Sequence, residues 1–176
     1  MIARSVLPGR ATRVRCLLAG LALALMGATA ADAQIRTRNS DAQLLRRSAA
    51  LESEGDYDGA AALLLELLEE NPTSSGGLFA LERVLLARGD IVSILPSVDA
   101  FLEQQPRSSG VRTLKLRVLS AVDSTDAVRR EADAWLRADP REEVPYREVA
   151  GIYRETFGPE DALELLYDCL LYTTDA

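Results

Sequence analysis

From Asp41 to Leu170, apolar residues recur every three or four positions and are interrupted at regular intervals by glycine or proline. Leu44, Leu45 and Leu51 share one helical stripe, and Ala60, Leu64, Leu67 and Leu68 form the next, the pattern of helices that bury one face. Leu78, Leu81 and Leu85 repeat it, followed by Leu114, Leu116, Val118 and Leu119, and finally by Ala162, Leu163 and Leu166. The punctuation is periodic too. Gly55 recurs as Gly89, and Pro72 recurs as Pro106 and Pro140, each time 34 residues on. A fixed period of that length predicts a row of helix–turn–helix units, each burying its apolar face against the next.

Local signals place the eight helices. Ser40 or Asp41 can cap the first, and Gly55 ends it, because a residue without a Cβ takes left-handed angles at little cost. The second restarts at Asp58 and stops at Asn71-Pro72, since a residue before proline avoids helical angles. Ser74 or Ser75 caps the third, which Gly89 closes; the fourth starts near Ser93, with Pro96 in its first turn, and ends at Gln105-Pro106. Ser108 or Ser109 caps the fifth. The third unit turns at Asp123-Ser124-Thr125, and its second helix runs through Trp135 to Asp139-Pro140. The last unit opens with Pro145 and Tyr146 and turns at Gly158-Pro159. The expected architecture is all-α, with units at 41–74, 75–108, 109–142 and 143–171 after a polar lead-in at 34–40.

The run GDYDGA (Gly55–Ala60), its closing Glu70-Asn71-Pro72 and the 34-residue period resemble the tetratricopeptide repeat (TPR) family over about Asp41 to Leu170. The resemblance implies a right-handed α-solenoid of about four stacked units. It also implies a small residue where the two helices of a unit cross, which is Ala60 in the first unit and Ala162 in the fourth. Ile94 and Val128 stand at the equivalent places and should hold the middle pairs slightly farther apart. The turn aromatic of the family is present as Tyr57, and Trp135, where alanine is usual, is expected to fill space between the third and fourth units.

The segments outside the repeats address the protein. Arg4, Arg10, Arg13 and Arg15 precede an apolar run from Cys16 to Ala30, and Ala31-Asp32-Ala33 offers the small residues a signal peptidase accepts. Residues 1–33 are therefore expected to be a cleaved signal peptide, with export to the periplasm or beyond; the rival, an uncleaved anchor, needs roughly 20 apolar residues. Cys16 stands at the start of the apolar run rather than after it, against a lipoprotein, and Cys169 then has no intrachain partner. Removing the four arginines and one aspartate of the signal takes the net charge from −7 to −10. So acidic a chain disfavours nucleic acid and anionic lipid as partners. Arginine dominates the basic residues, with Lys115 the lone lysine among twenty, a usage that points to a GC-rich bacterial genome. Cys169–Ala176 (CLLYTTDA) resembles the translated end of a sequencing-library adapter, so 172–176 are expected to be non-native; the other reading is that Leu170, Leu171 and Tyr172 finish the last helix.

Catalysis is not expected. The chain has no histidine, which removes Ser-His-Asp and Cys-His nucleophiles and the commonest metal ligand. No GxGxxG or P-loop occurs, so no cofactor and no metal are expected. Glu69-Glu70 and Glu142-Glu143 read as solvated helix ends, and Asp56 and Asp58 as turn and cap residues. The family resemblance instead implies ligands along a concave face lined by the first helix of each unit. Carried over residue by residue, that face holds Phe79, Arg83 and Leu86, then Arg117, then Arg147 and Arg154, with Leu45 and Ala49 in the first unit. Arg83 and Arg117 are 34 residues apart and should stand side by side, either as a clamp for a carboxylate-bearing peptide or as a solvated face. The implied function is a non-catalytic scaffold of the bacterial envelope for a protein or peptide. The alternatives are the N-terminal array of a longer exported enzyme or assembly factor, and a self-associating spacer.

Overall fold

The backbone is described for residues 40–174 and the side chains for residues 40–167 of the chain in this computed structural model; the signal-peptide and tail-contamination readings fall outside those side chains. The described residues form α1 (40–53), α2 (Tyr57–Glu70), α3 (Ser75–Arg88), a 3-10 turn (Ile91–Ile94) leading into α4 (Leu95–Gln104), α5 (Ser109–Ala121), α6 (Thr125–Ala138), α7 (Glu143–Thr156) and α8 (Pro159–Thr174). No strand is found among them. Successive helices pair as hairpins and the hairpins stack in chain order, giving an all-α solenoid in which the described residues from Leu44 on belong to one compact unit.

The junctions show that the sequence period is a structural one. Within each unit the amide of Asp56, Asp90, Ser124 or Gly158 donates to the carbonyl of Leu51, Leu85, Leu119 or Tyr153, at 2.9–3.1 Å. This six-residue closure caps orphan carbonyls and requires a left-handed residue beside it. Gly55 (φ +84°) and Gly89 (φ +75°) supply it in the first two units; Asp123 (φ +53°) takes the same place in the third, and Gly158 (φ +117°) serves the fourth one residue later. Between units, Asn71, Gln105 and Asp139 adopt nearly the same angles (φ −135°, −129°, −131°; ψ 81°, 68°, 60°), as a following proline demands. Pro72, Pro106 and Pro140 thus mark equivalent corners of the stack.

Three start sites differ from expectation. α1 already includes Ser40 and Asp41, so neither stands ahead of it as the cap; the rest of the polar lead-in, 34–39, lies outside the described residues. Asp56, not Asp58, caps α2: its Oδ1 accepts from the Gly59 amide at 2.9 Å, while Asp58 lies in the first turn. The Asx geometry wins because the residue just after the left-handed Gly55 is the one whose side chain can fold back over the first amides. The chain after Asp90 winds tightly for four residues before α4, placing Pro96 in the first turn as expected. Ser74 caps α3 through the Gly77 amide at 3.3 Å, whereas Ser108 precedes α5 without a side-chain cap bond.

The core is continuous in sequence order but built in two clusters. Leu64, Leu67, Leu78, Leu81, Ile94, Val98, Phe101 and Leu114 anchor the first; Leu116, Val128, Ala132, Trp135, Val149 and Ala162 anchor the second. α5 is sided twice over, giving Val111, Leu114 and Val118 to one cluster and Leu116 to the other. Trp135 is 1% exposed and joins residues of the third and fourth units. α7 packs along α8, whose crossing residue is Ala162, more extensively than α5 packs along α6, which carries Val128.

Polar contacts stitch the hairpins at their edges. Glu131 on α6 accepts from Lys115 at 2.7 Å and from Arg112 at 3.2 Å, both on α5, and Lys115 also reaches Asp99 on α4 at 3.0 Å. Burial pushes the Lys115 ammonium down, but its bonds to Glu131 and Asp99 outweigh that and hold its pKa above the usual lysine value. Farther on, the Arg129 guanidinium lies 4.0 Å from the centre of the Phe157 ring and reaches Asp161 at 3.4 Å.

Candidate functional site

Polar cross-links show that α1, α3, α5 and α7, the first helices of the four units, lie side by side. Glu52 of α1 takes a two-pronged bond from Arg83 of α3, with both N···O distances 2.7 Å. Glu82 of α3 accepts from Arg117 of α5, and the Ser120 and Thr156 hydroxyls meet at 2.7 Å between α5 and α7. Each contact spans one step of the stack.

The six candidate residues divide among three environments. Phe79 and Arg117 share a cavity of about 300 Å³ with Thr113, Val144 and Glu148, bringing α3, α5 and α7 together. Phe79 is 40% exposed and lies over Gly110, where an added Cβ would stand 3.7 Å from its ring. Arg83 and the exposed Leu86 continue the Phe79 stripe along α3. Arg147 and Arg154 belong elsewhere, to an apolar groove of about 410 Å³ between α7 and α8. Leu45 is half-buried and Ala49 exposed on α1.

The row of arginines is therefore not a row of bare cations. Hydrogen bonding to Arg83 holds the Glu52 carboxyl below its ordinary 4.5, and the same bond raises Arg83. Both guanidinium groups nevertheless remain more than half exposed, so an incoming carboxylate can reach them only by sharing or displacing Glu52 or Glu82. Sequence reasoning missed these glutamates, and it missed Thr113, Val144 and Glu148. The available signal was the adjacency of Glu82 to Arg83, with Arg117 about one period away.

The carboxylate pairs sit at helix ends and turns. Glu69, Glu70, Glu142 and Glu143 are exposed at helix ends, Asp56 is the α2 cap, and Asp58 pairs with Arg88 at 3.0 Å. Among the described residues no group of three or more Cys, Asp or Glu side chains is placed to hold a metal ion, and no helix is long and apolar enough to cross a membrane.

No family model matches the chain, and no curated protein matches it in sequence. Among solved structures, the chain is similar to a thermophilic TPR protein of Thermus thermophilus, with 20% identity, a TM-score of 0.46, and coverage of 74% of this chain and 73% of that one.

Proposed function

We propose that the stack is a non-catalytic scaffold that holds a protein or peptide segment against the face formed by α3, α5 and α7. The observation that carries this reading is the cavity joining Phe79, Thr113, Arg117, Val144 and Glu148 from three successive units. Its apolar walls, Phe79 and Val144, are exposed large side chains that a ligand can cover. Its rim carries Arg117 and, one step along, Arg83, each able to give a carboxylate two parallel N–H bonds. A segment with an apolar anchor and a nearby carboxylate fits both features. The charge and hydropathy pattern of residues 1–33, read as an export signal, supports binding in the periplasm or outside the cell.

The test is capture of synthetic peptides carrying a phenylalanine or leucine beside two glutamates, measured by fluorescence anisotropy. Phe79→Ala and the pair Arg83→Glu plus Arg117→Glu should each weaken binding at least tenfold while helical circular dichroism is retained. Undiminished binding by both variants would remove this face as the site. Fractionation of bacteria producing the full chain should find the processed form outside the cytoplasm; an unprocessed cytoplasmic product would refute export.

A further inference from the structure

The second helices of the units differ in chemistry on their outer sides. One exposed position, repeated at the 34-residue period, reads Leu65, Asp99, Asp133 and Tyr167. Between α4 and α6 the gap is ionic, because Lys115 of α5 reaches Asp99 at 3.0 Å and Glu131 at 2.7 Å. One period back the same three positions hold the fully buried Leu81, Leu65 and Ser97, which cannot form that bridge. Between α2 and α4 there is instead an apolar groove of about 340 Å³, walled by Leu65, Leu68 and Pro72 on one side and by Pro96 and Ala100 on the other. Leu65 is 41% exposed in it. Each repeat of such a stack touches only its neighbours, so a further unit at either end packs beyond the terminal helices and not between α2 and α4.

The charges around this groove have one sign. No arginine or lysine occurs between Arg47 and Arg83 or between Arg88 and Arg107, the stretches that hold α2 and α4. Asp58 and Asp99 are matched from neighbouring helices by Arg88 and Lys115. Glu66, Glu69 and Glu70 on α2 and Glu103 on α4 are exposed, and among the described residues none of the four holds an ion pair. Glu69 lines the groove itself. We infer that the groove docks a basic segment of a partner protein, with an apolar side chain laid against Leu65 and Pro96 and a lysine or arginine to either side of it. The apolar anchor follows from the walls, since α2 offers a leucine where α4 and α6 carry aspartate. The flanking charge follows from complementarity: a cation meets carboxylates that have no partner, whereas an acidic segment meets only like charge. The same carboxylates disfavour a phosphate backbone or an anionic lipid headgroup as the occupant. This surface and its partner are distinct from the α3–α5–α7 face, where the exposed cations are Arg83 and Arg117.

The probe is a labelled synthetic peptide with leucines set between lysines, titrated against the full chain by fluorescence anisotropy; the control carries glutamates in place of the lysines. The lysine peptide should bind, and the control should bind at least tenfold more weakly. Leu65→Asp is the deciding variant. It gives α2 the residue that α4 and α6 already carry at that exposed position, so helicity and melting temperature should hold, and it adds a negative charge. Diffuse attraction between a basic peptide and an acidic chain would leave the affinity unchanged or raise it, whereas docking in the groove lowers it at least tenfold. Glu69→Lys plus Glu103→Lys should also cost tenfold or more. Phe79→Ala should leave this affinity unchanged, which separates failure here from failure of the α3–α5–α7 site. Equal binding of the two peptides, undiminished binding by Leu65→Asp, or indifference to the Glu69 and Glu103 reversals overturns the proposal. So does light scattering that shows a dimer abolished by Leu65→Asp, because a second copy would then be the occupant. A tenfold rise in affinity on Arg36→Gln plus Arg38→Gln overturns it too, because the chain's own lead-in would then hold the groove.

Discussion

Replacing Glu131 by glutamine keeps the shape of the side chain but removes a carboxylate that serves two cations on the neighbouring helix. The side chains of Arg112, Lys115 and Glu131 are only 13%, 21% and 15% exposed, so this cluster lies between a surface ion pair and a buried one. Surface pairs contribute about 0–1 kcal/mol, and breaking a buried pair costs about 3–5 kcal/mol because a charge is left unmatched. Asp99 still neutralises Lys115 at 3.0 Å, and it is half exposed. The expected cost is therefore about 2 kcal/mol, which for an array of this size lowers the melting temperature by roughly 6–8 °C. Thermal and urea melts followed by circular dichroism measure it. A double-mutant cycle with Lys115→Met should return a coupling of about 1 kcal/mol, and a coupling under about 0.3 kcal/mol would refute the network. The pH dependence gives a second check. The pKa of Lys115 is raised on folding, so its contribution is complete below the ordinary 10.5 and is lost as pH rises through the folded value. The gap between wild type and Glu131→Gln should accordingly narrow in strongly alkaline solution.

Asp123→Gly should raise stability by about 0.5–1 kcal/mol in the same melts, because glycine accepts the +53° φ that aspartate holds under strain; an unchanged or lowered midpoint would count against strain there. Trp135→Ala should cost about 3–5 kcal/mol by opening a cavity between the third and fourth units, and protection of α6 and α7 amides in hydrogen exchange should fall before that of α2 and α3. The Glu52 carboxyl is lowered on folding, so its contribution is present above 4.5 and lost as pH falls through the folded value. Acid melts of Glu52→Gln should therefore show a shallower loss of stability than wild type below that pH, and the difference should shrink in high salt.

Much of the fold could be read from the chain because its determinants are local. Asn71-Pro72, Gln105-Pro106 and Asp139-Pro140 each fix their own backbone, and Gly55 and Gly89 supply left-handed turns without help from distant residues. The stripes at Leu64, Leu67, Leu78 and Leu81 announced their burial through helical spacing alone. Where two local signals competed, as at Asp56 and Asp58, the sequence could not rank them, since the cap is chosen by where the preceding turn points the chain.

What the sequence determined by itself was thus the number, order and corners of the helices, because each is set by angles and amphipathic spacing within a few residues. The stack alone decided the partners. Arg83 and Arg117 looked like a free row until α1 and α3 brought Glu52 and Glu82 against them from about one period away. The same stacking buried Leu64, Val98 and Ala132 and left Leu166 open, although all four obey the same pattern. Helical spacing says which side of a helix is apolar; only the neighbour that arrives, or does not, says whether that side is covered.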